Sequence, residues 1–387
     1  MMSAKSYKIV FCTPALYSAG GVERVVSYKA SYFVEQLGYD VTIIVTEGKG
    51  RDCYFPLSDK VKVINFELDF ETLWQVSFTK KIVLYLTKQR QYKKLLKAEL
   101  MRIRPDITIT TLRREINFLT KIKDGSCKVG ELHVNRANFR NFEAGDSNFM
   151  KQLFAKFWMR SLVKHLKALD QFVVLTESER LAWPELSNVT VIPDPLSFQF
   201  KELSPLNRKR VISVGRYVYQ KGVDLLLQAW AKVESQYSDW ELVYYGQGER
   251  QPFLHKAKEL GLDFRRCHLN ESTSDVQREF MDSSVFVLSS RFEGFGMVLV
   301  EAMACGLPVV SFNCKSGPSE IVSDGESGFL VPAGDVDGLA EKLSLLMASQ
   351  EERARMGKNA FYLSSKYDIT EVSKLWMSLF DTLMAKR

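Results

Sequence analysis

No uncharged stretch of the chain approaches the ~20 apolar residues that a bilayer-spanning helix requires. Ile9–Val22, preceded by Lys5 and Lys8, imitates a secretory leader, but Pro14, Tyr17 and the Gly20-Gly21 pair interrupt it, and Tyr7–Phe11 reads better as a first strand entering a glycine turn. The six cysteines, Cys12, Cys53, Cys127, Cys267, Cys305 and Cys314, form no C-x-x-C pair, which argues against a zinc or disulfide framework and fits reduced thiols. Histidine is scarce, with four in 387 residues. There is no low-complexity tract, no short internal repeat and no G-x-G-x-x-G dinucleotide fingerprint. No nucleic-acid recognition module is visible, so nucleic acid is not an expected partner. These absences lead to the expectation of a cytoplasmic protein without spanning helices.

What is present is an ordinary globular balance. Hydrophobic residues make up 46% and charged residues 26% of a length that favours two domains. The net charge of +7 is unevenly spread, because residues 1–200 hold 30 Lys/Arg against 21 Asp/Glu while the remainder is slightly acidic. Only one domain is therefore expected to meet an anionic partner.

Short β-rich runs alternate with helical patterns, the signature of parallel sheets wrapped by helices. Strands are predicted at Lys8–Phe11, Val41–Val45, Asp106–Thr110, Lys128–Val134 and Phe172–Leu175, with a helix over Val22–Leu37. The pattern restarts with strands at Arg210–Val214, Trp240–Tyr245, Arg265–Leu269, Val285–Leu288 and Val309–Phe312. Helices are predicted between them over Gly222–Gln236, Gln251–Leu260, Asp275–Met281 and Met297–Ala304. Pro193 and Pro195 flank Asp194 near the restart and suit an interdomain crossing. The expectation is an α/β protein of two Rossmann-like, doubly wound domains facing across a cleft. The first spans residues 1–196 and is packed by a C-terminal helix at about 366–387, and the second spans residues 197–365. Ligands of such sheets bind beyond the carboxyl ends of the strands, so function is expected on the loops found there.

The densest chemistry lies in Ser289-Ser290-Arg291-Phe292-Glu293-Gly294-Phe295-Gly296-Met297-Val298-Leu299-Val300-Glu301, which follows an apolar strand and enters a helix. Gly294 and Gly296 carry no Cβ and let a ligand approach the backbone. The first-turn N–H groups near Met297 and Val298 suit a phosphate. Glu301 lies ~6 Å up the helix axis, roughly the step from a diphosphate to its ribose. It also stands in an otherwise apolar run, where a carboxylate needs partners. Glu293, in the loop, is placed to meet the hydroxyls of a transferred sugar.

Glu293 and Glu301, separated by seven residues and set in EGFGMVLVEAMACGLPVV, resemble the paired glutamates of glycosyltransferase family 4. The resemblance continues through Ser316–Glu320 and Asp324–Leu330. It covers the C-terminal half well and the N-terminal half more loosely. It implies the GT-B fold, a first domain that faces acceptor and membrane and a second that binds the nucleotide-diphosphate sugar donor, expected to be a UDP-sugar, with transfer of a hexose or N-acetylhexosamine under retention of configuration and neither metal nor cofactor. Bacterial surface-polysaccharide assembly, with a glycan or polyprenyl-diphosphate-linked saccharide as acceptor, is the setting it implies.

Val214–Gly222 resembles the family's G-R-x-x-x-x-K-G element, so Arg216 and Lys221 are expected to hold the donor diphosphate and stabilise the charge that builds as it leaves. Gly246 and Gly248 resemble its nucleotide-side glycine loop. The next family loop reads Cys267-His268-Leu269-Asn270 here, a departure that puts strict uridine preference in doubt; Leu269 is the donor contact expected from it. In the first domain Gly20 and Gly21 look like the glycine loop that faces donor phosphates and acceptor. His133 matches the family's histidine near the reacting sugar, although a satisfied structural histidine is about as well supported. The catalytic candidates are thus Glu293, His133, Arg216 and Lys221; Gly294, Phe295, Gly296, Met297, Val298 and Glu301 complete the donor contacts. Replacing Glu293 by Ala should abolish transfer with little loss of folding. Asp335-Val336-Asp337 imitates a metal-binding D-x-D, but helix capping explains it better, and no metal is assigned.

Two basic amphipathic stretches, Thr79–Arg104 and Phe149–Leu169, point to an anionic membrane surface on the inner face of the cell membrane. In the first, Arg90, Lys93, Lys94, Lys97 and Arg104 share a face opposite Tyr85, Tyr92, Leu95, Leu96 and Ile103. The second combines Lys151, Lys156, Arg160, Lys164 and Lys167 with Phe154, Phe157 and Trp158. A nucleotide-sugar epimerase of the same fold and a non-catalytic sugar-nucleotide-binding subunit are the alternatives.

Overall fold

The computed structural model describes residues 6–136, 149–197 and 202–387, apart from the side chains of residues 74, 75, 78, 79 and 149–157. The chain divides into two compact units, Met1–Ser197 with Val372–Arg387, and Phe198–Glu371.

The first unit is built on a seven-stranded parallel sheet: β1 (Lys8–Cys12), β2 (Asp40–Val45), β3 (Lys62–Asn65), β4 (Ile107–Thr110), β5 (Cys127–Leu132), β6 (Gln171–Val174) and β7 (Val189–Val191). The order is β3-β2-β1-β4-β5-β6-β7, with Ile9 paired to Val41 on one side and Ile107 on the other. Its helices are α1 (Gly21–Glu35), α2 (Phe78–Ile103), α3 (Phe149–Lys167) and α4 (Glu177–Leu181).

The second unit repeats the plan with β8 (Arg210–Val214), β9 (Glu241–Gly246), β10 (Cys267–Glu271), β11 (Val285–Leu288), β12 (Val309–Asn313) and β13 (Gly328–Pro332), in the order β10-β9-β8-β11-β12-β13. Around them lie α5 (Val223–Val233), α6 (Gln251–Glu259), α7 (Val276–Met281), α8 (Met297–Ala304), α9 (Pro318–Ile321), α10 (Val336–Ala348) and α11 (Gln350–Ser364); α12 (Ile369–Ala385) returns the chain to the first unit. Both orders reverse direction beside the first strand of the unit, at β1/β4 and at β8/β11, and such switch points hold ligands.

The central strands are apolar on both faces and were legible as runs. Three strands were not predicted: β3, β7 and β13 are four, three and five residues long, lie at sheet edges and are half exposed. A strand solvated on one side needs no continuous apolar run. On α12, Trp376 and Phe380 are fully buried, and Phe380 meets Tyr7 and Phe33 edge-on at 6.1 and 5.9 Å. Each such ring contributes about 2–3 kcal/mol to the first unit. The six cysteines are unpaired.

The apolar face read from α2 is occupied by the core. Tyr92 and Leu96 are fully buried, and Tyr85, Leu95 and Ile103 pack beside them. A different stripe of α2 is exposed: Ile82, Val83, Leu86 and Met101 share it with Arg90, Lys93, Lys94 and Lys97. On α3, Leu162 and Leu166 are core and Trp158 packs against the same cluster, while Arg160, Lys164 and Lys167 are exposed. The side chains of Lys151, Phe154, Lys156 and Phe157 lie outside the described residues. Among the described residues no helix is long and apolar enough to cross a membrane. Asp335 caps α10 by accepting from the Gly338 N–H at 2.9 Å, and Asp337 pairs with Lys232 at 2.8 Å.

Candidate active site

In the second unit, the loops leaving β8 and β11 on either side of the switch point are bound to each other. Ser289 Oγ donates to the Lys221 carbonyl at 3.0 Å, and the Arg291 N–H to the Gln220 carbonyl at 2.8 Å. Gln220 Nε2 reaches the Phe292 carbonyl at 3.0 Å, and Arg291 grips Asp224 with both terminal nitrogens at 2.9 and 2.7 Å. Gly222 turns the chain into α5 at φ +59°, and a Cβ there would overlap the Ser289 carbonyl. The close approach of the two loops therefore requires glycine at this position.

This brace brings two of the expected residues together. Lys221 Nζ lies 2.7 Å from Glu293 Oε1, and Ser290 Oγ donates to the same oxygen at 2.5 Å. Glu293 is only 5% exposed. Burial pushes the neighbouring Cys314 thiol up to about 12, with the Glu293 charge adding to it. Lys221 is thus the partner of Glu293 as well as a phosphate candidate. Replacing Glu293 by Ala would strand that ammonium, which argues for a folding cost beyond the small loss expected from the sequence.

The segment between the glutamates forms the start of α8. Gly296 is its N-cap at φ +98°, and the backbone around Gly317 closes against the Phe295 carbonyl. Glycine at 296 is demanded by that left-handed conformation, a more specific reason than open space for a ligand. The first-turn N–H groups at Met297 and Val298 lie where a helix leaves its donors without intrahelical acceptors. Phe295 is buried with its ring 5.4 Å from Tyr367. Glu301, on the next turn, is 2% exposed.

Gly246 ends β9 and Gly248 lies in the loop that follows, and this stretch zips to the loop after β8. The Tyr217 N–H donates to the Gln247 carbonyl at 2.7 Å, the Gly215 N–H to the Tyr245 carbonyl at 3.0 Å, and a Cβ on Gly246 would overlap the Gly215 carbonyl. Arg216 stands exposed at this seam and donates to Gln220 Oε1 at 3.4 Å. Leu269 turns its side chain into the core, and its carbonyl accepts from Arg250 at 3.0 Å, so any ligand contact it makes is through the backbone. Sequence reasoning missed Ser290, Gln220 and the Asp224–Arg291 pair. The only available signal was their position at the ends of β8 and β11.

In the first unit, Gly20 caps α1 with ordinary extended backbone, and Gly21 has open space where a Cβ would be. The Glu23 carboxylate, held by Ser18 Oγ at 2.6 Å, lies over Gly20 and so covers this helix start with the chain's own anion. His133 follows β5 with its side chain 5% exposed. Its Nδ1 is 3.2 Å from Asp194 and its Nε2 is 3.6 Å from Glu131. The other oxygen of Glu131 is ion-paired to Lys29, which is fully buried on α1. Burial alone would push the imidazole down, but Asp194 and Glu131 override it and hold it up at about 10. Burial would likewise raise the Glu131 carboxyl, but Lys29 and His133 hold it down at about 2.

Residues 196–362 match the family described as glycosyl transferases group 1. The chain is 28% identical over 381 residues to an uncharacterized glycosyltransferase of Haemophilus influenzae, covering 96% of this chain and 99% of that one. It is 25% identical to the amylovoran biosynthesis glycosyltransferase AmsD of Erwinia amylovora, covering 97% and 100%. Among solved structures, a mutant of Staphylococcus aureus TarM in complex with fondaparinux, alpha-GlcNAc-glycerol and UDP superposes with a TM-score of 0.74 at 16% identity, covering 97% and 99%. Anabaena HepE in complex with UDP and glucose superposes with a TM-score of 0.72 at 17% identity, covering 97% of this chain and 99% of that one. The two parallel-sheet Rossmann-like units are those of the GT-B fold. Over residues 196–362, on the parallel sheet of the second unit, the chain carries a glycosyl transferases group 1 domain.

Proposed function

We propose that the second unit binds a UDP-sugar and that the enzyme transfers its hexose or N-acetylhexosamine, with retention of configuration, to a glycan or polyprenyl-diphosphate-linked saccharide in surface-polysaccharide synthesis. The observation that carries this reading is the Lys221–Glu293–Ser290 constellation beside the first turn of α8. It puts a cation, a carboxylate and helix N–H donors within one loop pair. Glu293 takes sugar hydroxyls and Glu301 takes ribose. Arg216 and Lys221, with the Met297 and Val298 N–H groups, hold the diphosphate and stabilise the negative charge that accumulates on it as the glycosidic bond breaks. On this reading the protein's own cations do the work of a metal, and transfer survives chelation by EDTA. Retention follows from the resemblance to family 4, which implies same-face attack with the leaving phosphate accepting the acceptor's proton. The UDP in the TarM and HepE structures and the amylovoran setting of the Erwinia relative support the donor and pathway class.

Screening nucleotide sugars for thermal stabilisation tests the donor. A true donor at about 100 times its Kd adds ~2.7 kcal/mol to the folded state. Stabilisation by GDP- or ADP-sugars with none by UDP-sugars would overturn the uridine assignment. The exposed α2 stripe favours docking on an anionic membrane from the cytoplasmic side, because Ile82, Val83 and Leu86 can enter the interface while Arg90, Lys93, Lys94 and Lys97 meet lipid phosphates. Co-sedimentation with phosphatidylglycerol vesicles should weaken with salt and with the I82S/L86S double variant; no binding at low salt rejects it.

A further inference from the structure

The first unit buries four charged groups in a row, drawn from three separate segments. Lys29 from α1 is ion-paired to Glu131 at the end of β5, Glu131 faces one side of the His133 ring, and Asp194 faces the other. Lys29, Glu131 and Asp194 are 0, 1 and 6% exposed. Asp194 is held between Pro193 and Pro195, where the chain leaves the first sheet for the second unit. We propose that His133 is a positioning residue. As an imidazolium bridging Glu131 and Asp194, it fastens the outgoing Pro193–Pro195 segment to the end of β5, and it takes no proton from the acceptor.

Geometry and charge both lead there. The two carboxylates face different ring nitrogens: Nδ1 lies 3.3 and 3.2 Å from the two oxygens of Asp194, and Nε2 lies 3.6 Å from Glu131. A neutral imidazole has one N–H and would turn a lone pair toward one of these anions. A neutral ring would also leave the row Lys29–Glu131–Asp194 with one buried negative charge uncompensated, whereas the imidazolium brings the sum to zero. The strongly raised proton affinity of the ring agrees. A metal ion does not fit the same groups, although the three side chains lie within reach of one another. An imidazole offers a metal one nitrogen, and here the carboxylates flank opposite nitrogens; moreover, Glu131 already has the Lys29 ammonium on its other oxygen. An imidazolium whose two N–H groups both face carboxylates has no lone pair with which to act as a general base. Its effect on transfer is exerted through Asp194 and the direction in which the connecting segment starts.

Ring 15N NMR of the whole protein tests this without any donor, so the outcome is independent of the UDP-sugar assignment. His133→Gln identifies the signal by its disappearance. The expected result is two protonated ring nitrogens from pH 5.5 to 8.5, unchanged by one equivalent of Zn²⁺. A midpoint near 6.5, or a saturable Zn²⁺ shift, overturns the proposal. Asp194→Asn, which removes one of the two anions, should bring the midpoint down into that range, and this variant serves if His133→Gln fails to fold. Transfer with the donor found by thermal stabilisation supplies the second readout. His133→Gln should lower kcat by about 10- to 100-fold through misplacement and keep the pH profile of the parent. His133→Lys, which restores a cation, should recover part of the loss. A lost acidic limb in His133→Gln with no rescue by Lys would instead mark His133 as the base.

Discussion

Glu293→Gln separates the two duties of the carboxylate at the α8 loop. The substitution keeps the side chain's length and an oxygen for Ser290, but removes the charge opposite Lys221. The lysine side chain is 16% exposed and the glutamate 6%, so the pair is nearly buried. Removing one member of a buried pair costs 3–5 kcal/mol in typical cases, and the partial access of Lys221 to water argues for the lower end, about 3 kcal/mol. At 2–4 °C per kcal/mol for a unit of this size, the unfolding midpoint of the second unit should fall by roughly 6–12 °C. A hydrogen bond to a charged group that strengthens in the transition state is worth ~2.7 kcal/mol, so kcat/KM should fall by about 100-fold. Calorimetry reads the first effect and nucleotide release with a UDP-sugar the second. Lys221→Met in the same background completes a double-mutant cycle, with an expected coupling of ~1–3 kcal/mol. Strictly additive losses would refute the ion pair as a unit. An unchanged midpoint together with unchanged turnover would refute the site.

Gly222→Ala should destabilise the second unit by more than about 1 kcal/mol, since φ is +59° and the new Cβ overlaps the Ser289 carbonyl. Gly21→Ala, with open space at its Cβ and ordinary backbone, should stay within ~0.5 kcal/mol of the parent; thermal melts of the two variants check the contrast. Asp335→Ala removes the α10 cap and should cost ~1 kcal/mol, read as a shift in the urea midpoint. The pH dependence of the first unit follows from its buried row of charges. His133 is held above its usual value, so its contribution is complete below about 6.5 and fades as pH rises toward 10; Glu131 is held below its usual value, so its contribution is complete above about 4.5 and fades as pH falls toward 2. The urea midpoint should therefore be highest between pH 4.5 and 6.5 as far as this row decides it, and His133→Gln should flatten the alkaline fall.

The sequence by itself determined the two doubly wound units and the residue order of the Glu293–Glu301 segment. Central parallel strands are apolar on both faces, and the helices between them are periodic, so β8, β11 and α8 could be read to the residue. The glutamate pair, the glycines and the cations lie within short, contiguous motifs, and local order alone places them after strands. Tertiary structure decided what these groups face. That Lys221 and Ser290 share one oxygen of Glu293 depends on the approach of loops 72 residues apart. That the apolar face of α2 is core while Ile82, Val83 and Leu86 are exposed depends on which neighbours cover the helix, and periodicity gives a face without naming its partner. His133 shows the same limit most clearly. Its position after a strand was visible, but the two carboxylates that fix its charge come from its own strand and from a segment 61 residues away. A side chain's protonation follows from the field of everything packed around it, and that field exists only once the chain has folded.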